Sequence, residues 1–244
     1  MNAASPGDTI FVCPGIFDEQ VTVITSDLTI LGSGAGQTVI RPSAVSVNSS
    51  GSIAPFPVAA VLAVNDTTGV VVRGLTVDGS LADGGSVPFL DCRIVGFYAG
   101  INYRNSSGEI DEAHVTQIQS ATTCSAALNI SSGFTSASNV VVSDSLFDYY
   151  GSMGIHCSGP NSLCSVTGST MQGLGPVDNQ IQAGIIYRGG AGGELIGNVI
   201  RDHFYTPAVG MAEFSVGVAL FYAEPNLNPH LLQDNIFSGN QFNV

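Results

Sequence analysis

Residues 183–205 read AGIIYRGGAGGELIGNVIRDHFY, and earlier stretches repeat their grammar: AGINYRNSSGEIDEAHV (99–115), AALNISSG…NVVVSDSLF (126–147) and MGIHCSGPNSLCSVTGSTM (153–171). Each copy has a small-residue-plus-aliphatic strand, a polar or glycine-rich corner, a second apolar run, a tight turn and a third short strand. Aligning the first strands puts Ile101, Leu128, Ile155, Ile185 and Val218 in one column, at spacings of 27, 27, 30 and 33 residues. A repeat of that length is the signature of a solenoid. A second column holds Ile110, Val141, Val166, Leu195 and Leu231. Five residues later in every copy comes a third: Val115, Leu146, Met171, Ile200 and Ile236. The fixed step predicts a tight strand-turn-strand corner that cannot absorb insertions, which a sandwich has no reason to keep.

Stacked coils pair in parallel about 4.8 Å apart, so equivalent side chains form ladders, and the coils share a core that none could bury alone. Two residues before the third column stand Ala113, Asp144, Ser169, Asn198 and Asp234. Small polar groups there can satisfy backbone and tolerate a left-handed turn. Asp144 and Asp234 are therefore read as ladder residues rather than catalytic acids. The predicted architecture is all-β, a parallel solenoid of about seven rungs in a single domain over 1–244. Residues 1–42 form the first coil, 43–58 and 80–88 are loop excursions, and 89–244 carry the regular repeats. Strands are expected at Thr9–Val12, Val21–Ile24, Leu28–Leu31 and Thr38–Ile40, then in 59–64 and 69–79.

The sequence has no lysine; six arginines face nineteen acids, for a net charge of −13. Phosphate-backbone binding needs a basic stripe, so nucleic acid and anionic membranes are not expected partners. Polyanionic sugars are repelled unless cations bridge the contact. The longest apolar run, Phe56–Val64, is far short of the ~20 residues that span a bilayer. Five cysteines point to an oxidising compartment, with pairs Cys157–Cys164 and Cys92–Cys124 expected and Cys13 left over. If Cys157 closes onto Cys164, the strand is expected to end at His156.

Strand alternation sends 101, 103, 128, 130, 155, 185, 187, 218 and 220 inward. The intervening positions are then expected to face solvent. One outward row reads Asn102, Asn129, His156, Ile186, Ala219, and its neighbour Arg104, Ser131, Ser158, Arg188, Phe221. His156 lies diagonally about 8 Å from Arg188 at the backbone. A histidine among amides and arginines can act as general base or sugar ligand; the bland alternative is a solvated polar ladder. A second cluster is Asp148-Tyr149-Tyr150 with Arg201-Asp202-His203-Phe204-Tyr205. Asp148 and Asp202 fall at one offset about 10 Å apart across Gly173. That is just above the ~6.5–9.5 Å of an inverting carboxylate pair. Tyr149, His203 and Tyr205 suit sugar contacts, though acids and aromatics beside turns are also common. Sequons occur at Asn48, Asn65, Asn105 and Asn129.

AASPGDTIFVCPGIFDEQVTV…LTILGSGAGQTVI resembles the first coil of secreted right-handed parallel β-helix proteins of the pectin-lyase-like superfamily. GINYRNSSGEI and QAGIIYRGGAGGELIGNVI resemble that group's generic repeats, including NosD-like proteins. The resemblance implies a secreted or cell-surface protein and a glycan partner, with the substrate groove along the Gly-Ile sheet. Relatives carry a capping helix before the AASPGDTI motif, so the chain is expected to lack an N-terminal cap and to be a fragment. Family hydrolase elements N-T-D, D-D, G-H-G and R-I-K are absent, as is D-P-H-D, the nearest string being NPHL (228–231). Lyase-like sites combine calcium-binding acids with a basic group. Asp148, Asp178 and Asp202 have the oxygen ligands calcium takes, and no other cofactor is expected. Two readings stay open: a carbohydrate-binding or carbohydrate-processing protein resembling polysaccharide lyases, using His156, Arg188, Asp148 and Asp202 for chemistry and Asn102, Arg104, Asn129, Tyr149, His203 and Tyr205 for binding; or a non-catalytic structural or adhesive solenoid.

Overall fold

The computed structural model describes residues 4–53, 56–80, 97–120, 124–178, 180–206, 215–221 and 228–244. The chain winds repeatedly through three parallel sheets and has no helix among these residues. The first sheet, from strand Thr9–Phe11 to strand His230–Gln233, and the second, from Gly15–Phe17 to Ile236–Ser238, each stack eight strands. The third stacks seven in parallel, with Ser49–Ser50 added antiparallel to Pro57–Asn65. The fold is an all-β parallel β-helix. Among the described residues it has seven complete coils and the first two strands of an eighth.

The first predicted column stacks in register as expected: Ile101 on Leu128, Leu128 on Ile155, Ile155 on Ile185, Ile185 on Val218, all buried. The other two columns need a one-residue correction in two copies. Ile110 stacks on Val142 rather than Val141, and Leu195 on Leu232 rather than Leu231. Likewise Val115 stacks on Phe147 rather than Leu146, and Ile200 on Phe237 rather than Ile236. Val141, Leu231 and Ile236 are exposed instead. The runs VVVS, HLL and IF offer apolar residues in both phases, so periodicity alone could not choose. The five-residue step survives, since both columns shift together.

The corner that imposes this step resolves into two adjacent files. Gly74, Glu112, Asp144, Gly168, Gly197 and Asp234 adopt left-handed φ between 44° and 65°. The next residues hold the coils together: Ala113 N–H donates to Ser145 Oγ at 3.1 Å, Ser145 N–H to Ser169 Oγ at 3.1 Å, Ser169 N–H to Asn198 Oδ1 at 3.0 Å, and Asn198 N–H to Asn235 Oδ1 at 3.0 Å. Asp144 and Asp234 thus make the turn, while Ser145 and Asn235 make the ladder. Buried backbone donors without such partners would each cost about 1–3 kcal/mol.

The Gly-Ile motif has a steric origin. Third-sheet register skips one position in each strand, so that in four coils glycine and the following aliphatic residue both point to the core. A Cβ on Gly184 would lie 2.6 Å from Gly217 O and 2.7 Å from Ile200 Cγ2. Cys157 and Cys164 form their disulfide inside this core. The strand nevertheless continues past His156, running Met153–Ser158. Cys124 is also disulfide-bonded; its expected partner Cys92 lies outside the described residues, as does most of the 80–88 excursion. Cys13 is a free thiol. Strand Gly15–Phe17, hidden between turn residues, was not expected from the sequence.

Candidate functional site

The outward row of the third sheet has the predicted register: Asn102 beside Asn129, Asn129 beside His156, His156 beside Ile186, Ile186 beside Ala219. It does not face open solvent. Asn102 is 0% exposed, Asn129 2% and His156 5%. The 43–58 excursion folds back over this face. Ser52 Oγ bonds Ser131 O and Oγ, both at 2.9 Å, and Asn48 Nδ2 donates to Ala60 O at 3.1 Å. Phe97 stacks on the His156 ring with centroids 5.0 Å apart. Burial, with a smaller contribution from the Arg188 charge, pushes the His156 pKa down to about 4. Arg104 turns to an ion pair with Asp66 and does not converge with His156. Arg188 stands exposed at the end of its strand.

The second cluster is reorganised by the phase correction. With Phe147 stacked on Met171 and Met171 on Ile200, Asp148 falls into the file of Gln172 and Arg201, and Asp202 into that of Tyr149. The two carboxylates therefore do not form a stacked pair. Asp148 instead pairs across coils with His114, Nε2 to Oδ1 at 2.9 Å. Partial burial raises its pKa, but hydrogen bonds from His114 and Thr116 and the His114 charge outweigh that, leaving it below the ordinary 3.8. Tyr149 and Asp202 are left-handed turn residues at φ 47° and 65°. Tyr149 is exposed, and Asp202 lies 4.0 Å from Arg201.

His203 and Tyr205, expected as sugar contacts, are buried. Tyr150 O–H donates to His203 Nε2, and His203 Nδ1 donates to Asn240 Oδ1 at 2.8 Å. Burial lowers the His203 pKa to about 4, against the opposing effects of Asn240 and Asp202. The correction has a simple cause: Asp202 takes a left-handed φ of 65° in the middle of strand Val199–Tyr205, which breaks the alternation after Ile200 and turns His203 and Tyr205 inward. Among the described residues no three His, Cys, Asp or Glu side chains gather as a cation site, so Asp148, Asp178 and Asp202 do not converge.

One concavity does bring polar groups together. A cleft of about 620 Å³ follows the corner between the first and second sheets. Left-handed Gly74, Glu112, Asp144 and Gly168 line it on successive coils, with His114, Leu146 and Thr170 beside them. Gly34 and Gly36 leave one wall low. Glu112, Asp144 and His114 were not singled out from sequence as a site. The available signal was the acid placed twice in succession in a file where glycine otherwise recurs.

No protein-family model matches the chain, and no curated protein matches it. Solved structures similar to it include a pectin methylesterase in complex with a hexasaccharide, at 10% identity and TM-score 0.46, covering 84% of this chain and 73% of that one. Pectin methylesterase PemA from Erwinia chrysanthemi is similar at 8% identity and TM-score 0.45, covering 93% and 84%. ORF18 of Geobacillus virus E2 is similar at 13% identity and TM-score 0.47, covering 99% of this chain and 55% of that one.

Proposed function

We propose that this protein binds carbohydrate, with an extended uncharged polysaccharide lying along the corner between the first and second sheets. The observation that carries the reading is the cleft. It follows the solenoid axis across at least four coils, and its volume of about 620 Å³ falls within the range typical of ligand sites. Glu112 and Asp144 offer carboxylate oxygens that accept charge-assisted bonds from sugar hydroxyls. Leu146 supplies an apolar surface for the C–H face of a ring. Among the described residues no lysine or arginine lines the cleft. Together with the net charge of −13, that disfavours uronate polymers. Disulfide bonding supports action outside the cytoplasm.

The test is titration of the protein with neutral glucans, xylan and galactomannan and with polyuronates, alongside Thr170→Trp, which fills the cleft, and Asp144→Asn. Binding of a neutral polymer that weakens at least tenfold in both variants is the expected result. Binding of polyuronates alone, no binding, or binding indifferent to Thr170→Trp overturns it. Following the same mixtures for new reducing or unsaturated ends, with and without calcium, separates binding from cleavage.

A further inference from the structure

The corner between the first and second sheets repeats one unit on every coil. Glu112, Asp144 and Gly168 are exposed left-handed residues on three successive coils, and two positions after them stand His114, Leu146 and Thr170, each half-buried. The latter three stack in register, His114 beside Leu146 and Leu146 beside Thr170. The next two coils continue both files, with left-handed Gly197 and Asp234 on the rim and Val199 and Ile236 on the floor. Each coil thus offers one rim position and one floor position, and the pair advances along the axis by one strand spacing, about 4.8 Å. A guest that uses them all must repeat at that distance.

That spacing selects among polymers. An extended peptide advances about 3.4 Å per residue and presents the same face only at every second one, so it is out of step with the coils. Pyranose chains with an α-1,4 or a β-1,3 linkage curl, and leave a straight corner after a few rings. A chain joined by equatorial bonds at C1 and C4 runs straight, because those bonds leave opposite ends of the ring, and each ring advances it by close to one coil. Such a chain is a ribbon with C–H faces and hydroxyl edges. The floor offers Leu146 to a face. The rim offers acceptors to an edge: Asp144 leans along the axis, its Oδ1 lying 2.6 Å from where a Gly168 Cβ would be, so glycine on that coil leaves the carboxylate its room. His114 Nε2 is held by Asp148 at 2.9 Å; with that N–H donating to the carboxylate, Nδ1 remains as a further acceptor.

We propose that the corner takes a neutral β-1,4-linked glycan in register with the solenoid, one ring per coil. The inference rests on the carbohydrate reading of the cleft and adds to it the linkage and the repeat. The middle ring lays its C–H face on Leu146, and hydroxyl edges turn to the rim, where Glu112 and Asp144 accept. Specificity then comes from the match between two periods, that of the stacked coils and that of the polymer, more than from any single contact.

Calorimetric titration of the intact protein with short glycans tests the register apart from the cleft. β-1,4-linked oligosaccharides of glucose, mannose and xylose, from one to three rings, are compared with α-1,4- and β-1,3-linked glucose trisaccharides. In at least one β-1,4 series affinity is expected to rise at least fivefold with each added ring, its trisaccharide binding at least tenfold more tightly than either comparison trisaccharide. Leu146→Asn, which takes the apolar floor from the middle coil, and Thr170→Trp, which blocks the next, should each weaken that trisaccharide at least tenfold. A smaller difference between linkages, affinity that levels off before the third ring, or a trisaccharide indifferent to Leu146→Asn overturns the register. The cleft reading survives those results wherever a neutral glycan still binds and Thr170→Trp weakens it. If no neutral glycan of any length binds, or Thr170→Trp changes nothing, both fall.

Discussion

The outer face of the second sheet carries Asp148, Gln172 and Arg201 in one file; the outer face of the third carries Asn102, Asn129 and His156 in another. Both files are polar, both come from short outward-facing strand positions, and both stack at one residue per coil. The first is partly open and held by cross-coil pairs, His114 with Asp148 and Arg201 Nη2 with Gln172 Oε1 at 2.9 Å. The second is closed, because the 43–58 excursion lies over it and supplies Ser49 as a member of the hydrogen-bond chain that runs from His156 through Asn129 and Asn102. The difference teaches that an outward position on a β-helix is a topological statement, whereas exposure depends on where loops from other coils land. A closed polar file must be fully satisfied, since each unpaired buried group costs about 1–3 kcal/mol; an open one can lean on water.

Acid should separate the two regions most. Burial holds His156 and His203 near pKa 4, against an ordinary 6.5. The unfolded chain then binds protons that the folded chain refuses. The contribution of each is intact above pH 6.5 and lost as pH falls toward 4, by about 3 kcal/mol per histidine. The lowered pKa of Asp148 acts in a different window, its contribution being lost only as pH falls below 3.8. Denaturant unfolding between pH 7 and 4 should show the midpoint falling over the histidine window, with a smaller fall in His156→Gln. A fall as large in His156→Gln as in the parent protein would mean that the third-sheet face is open to water.

Next in size is Asn129→Leu. It strands Asn102 Oδ1 and His156 Nδ1 together, and should destabilise the protein by about 2–4 kcal/mol. A loss under about 0.5 kcal/mol in chemical denaturation would show that water reaches the row. The smallest effect is expected on the open face. Asp148→Asn removes a partly exposed ion pair worth up to about 1 kcal/mol, and 1 M salt should shrink its effect further. If its effect exceeds that of Asn129→Leu, the assignment of open and closed faces is reversed.

The coil was legible in the sequence because its determinants are local and repeat. Ile101, Leu128, Ile155 and Ile185 identify themselves by spacing, and the five-residue corner survives even where its phase was misread at Val141 and Leu146. Those misreadings had a physical source: where successive residues are all apolar, hydrophobicity does not distinguish inward from outward. The His203 error arose differently, from a left-handed residue, Asp202, that breaks the alternation inside its strand and that composition does not announce.

Tertiary structure alone decided which of the polar rows is a surface. The Ser52–Ser131 contact joins residues 79 apart in sequence, and nothing in the stretch around His156 records that a loop from far upstream will cover it. The corner cleft is equally nonlocal, because Glu112, Asp144 and Gly168 become neighbours only once three coils are stacked. Side-chain direction along a strand is fixed by backbone alternation and can be read one residue at a time. Solvent access is a property of the whole packed chain, and so the amino-acid order determined the solenoid while only the folded molecule determined its working faces.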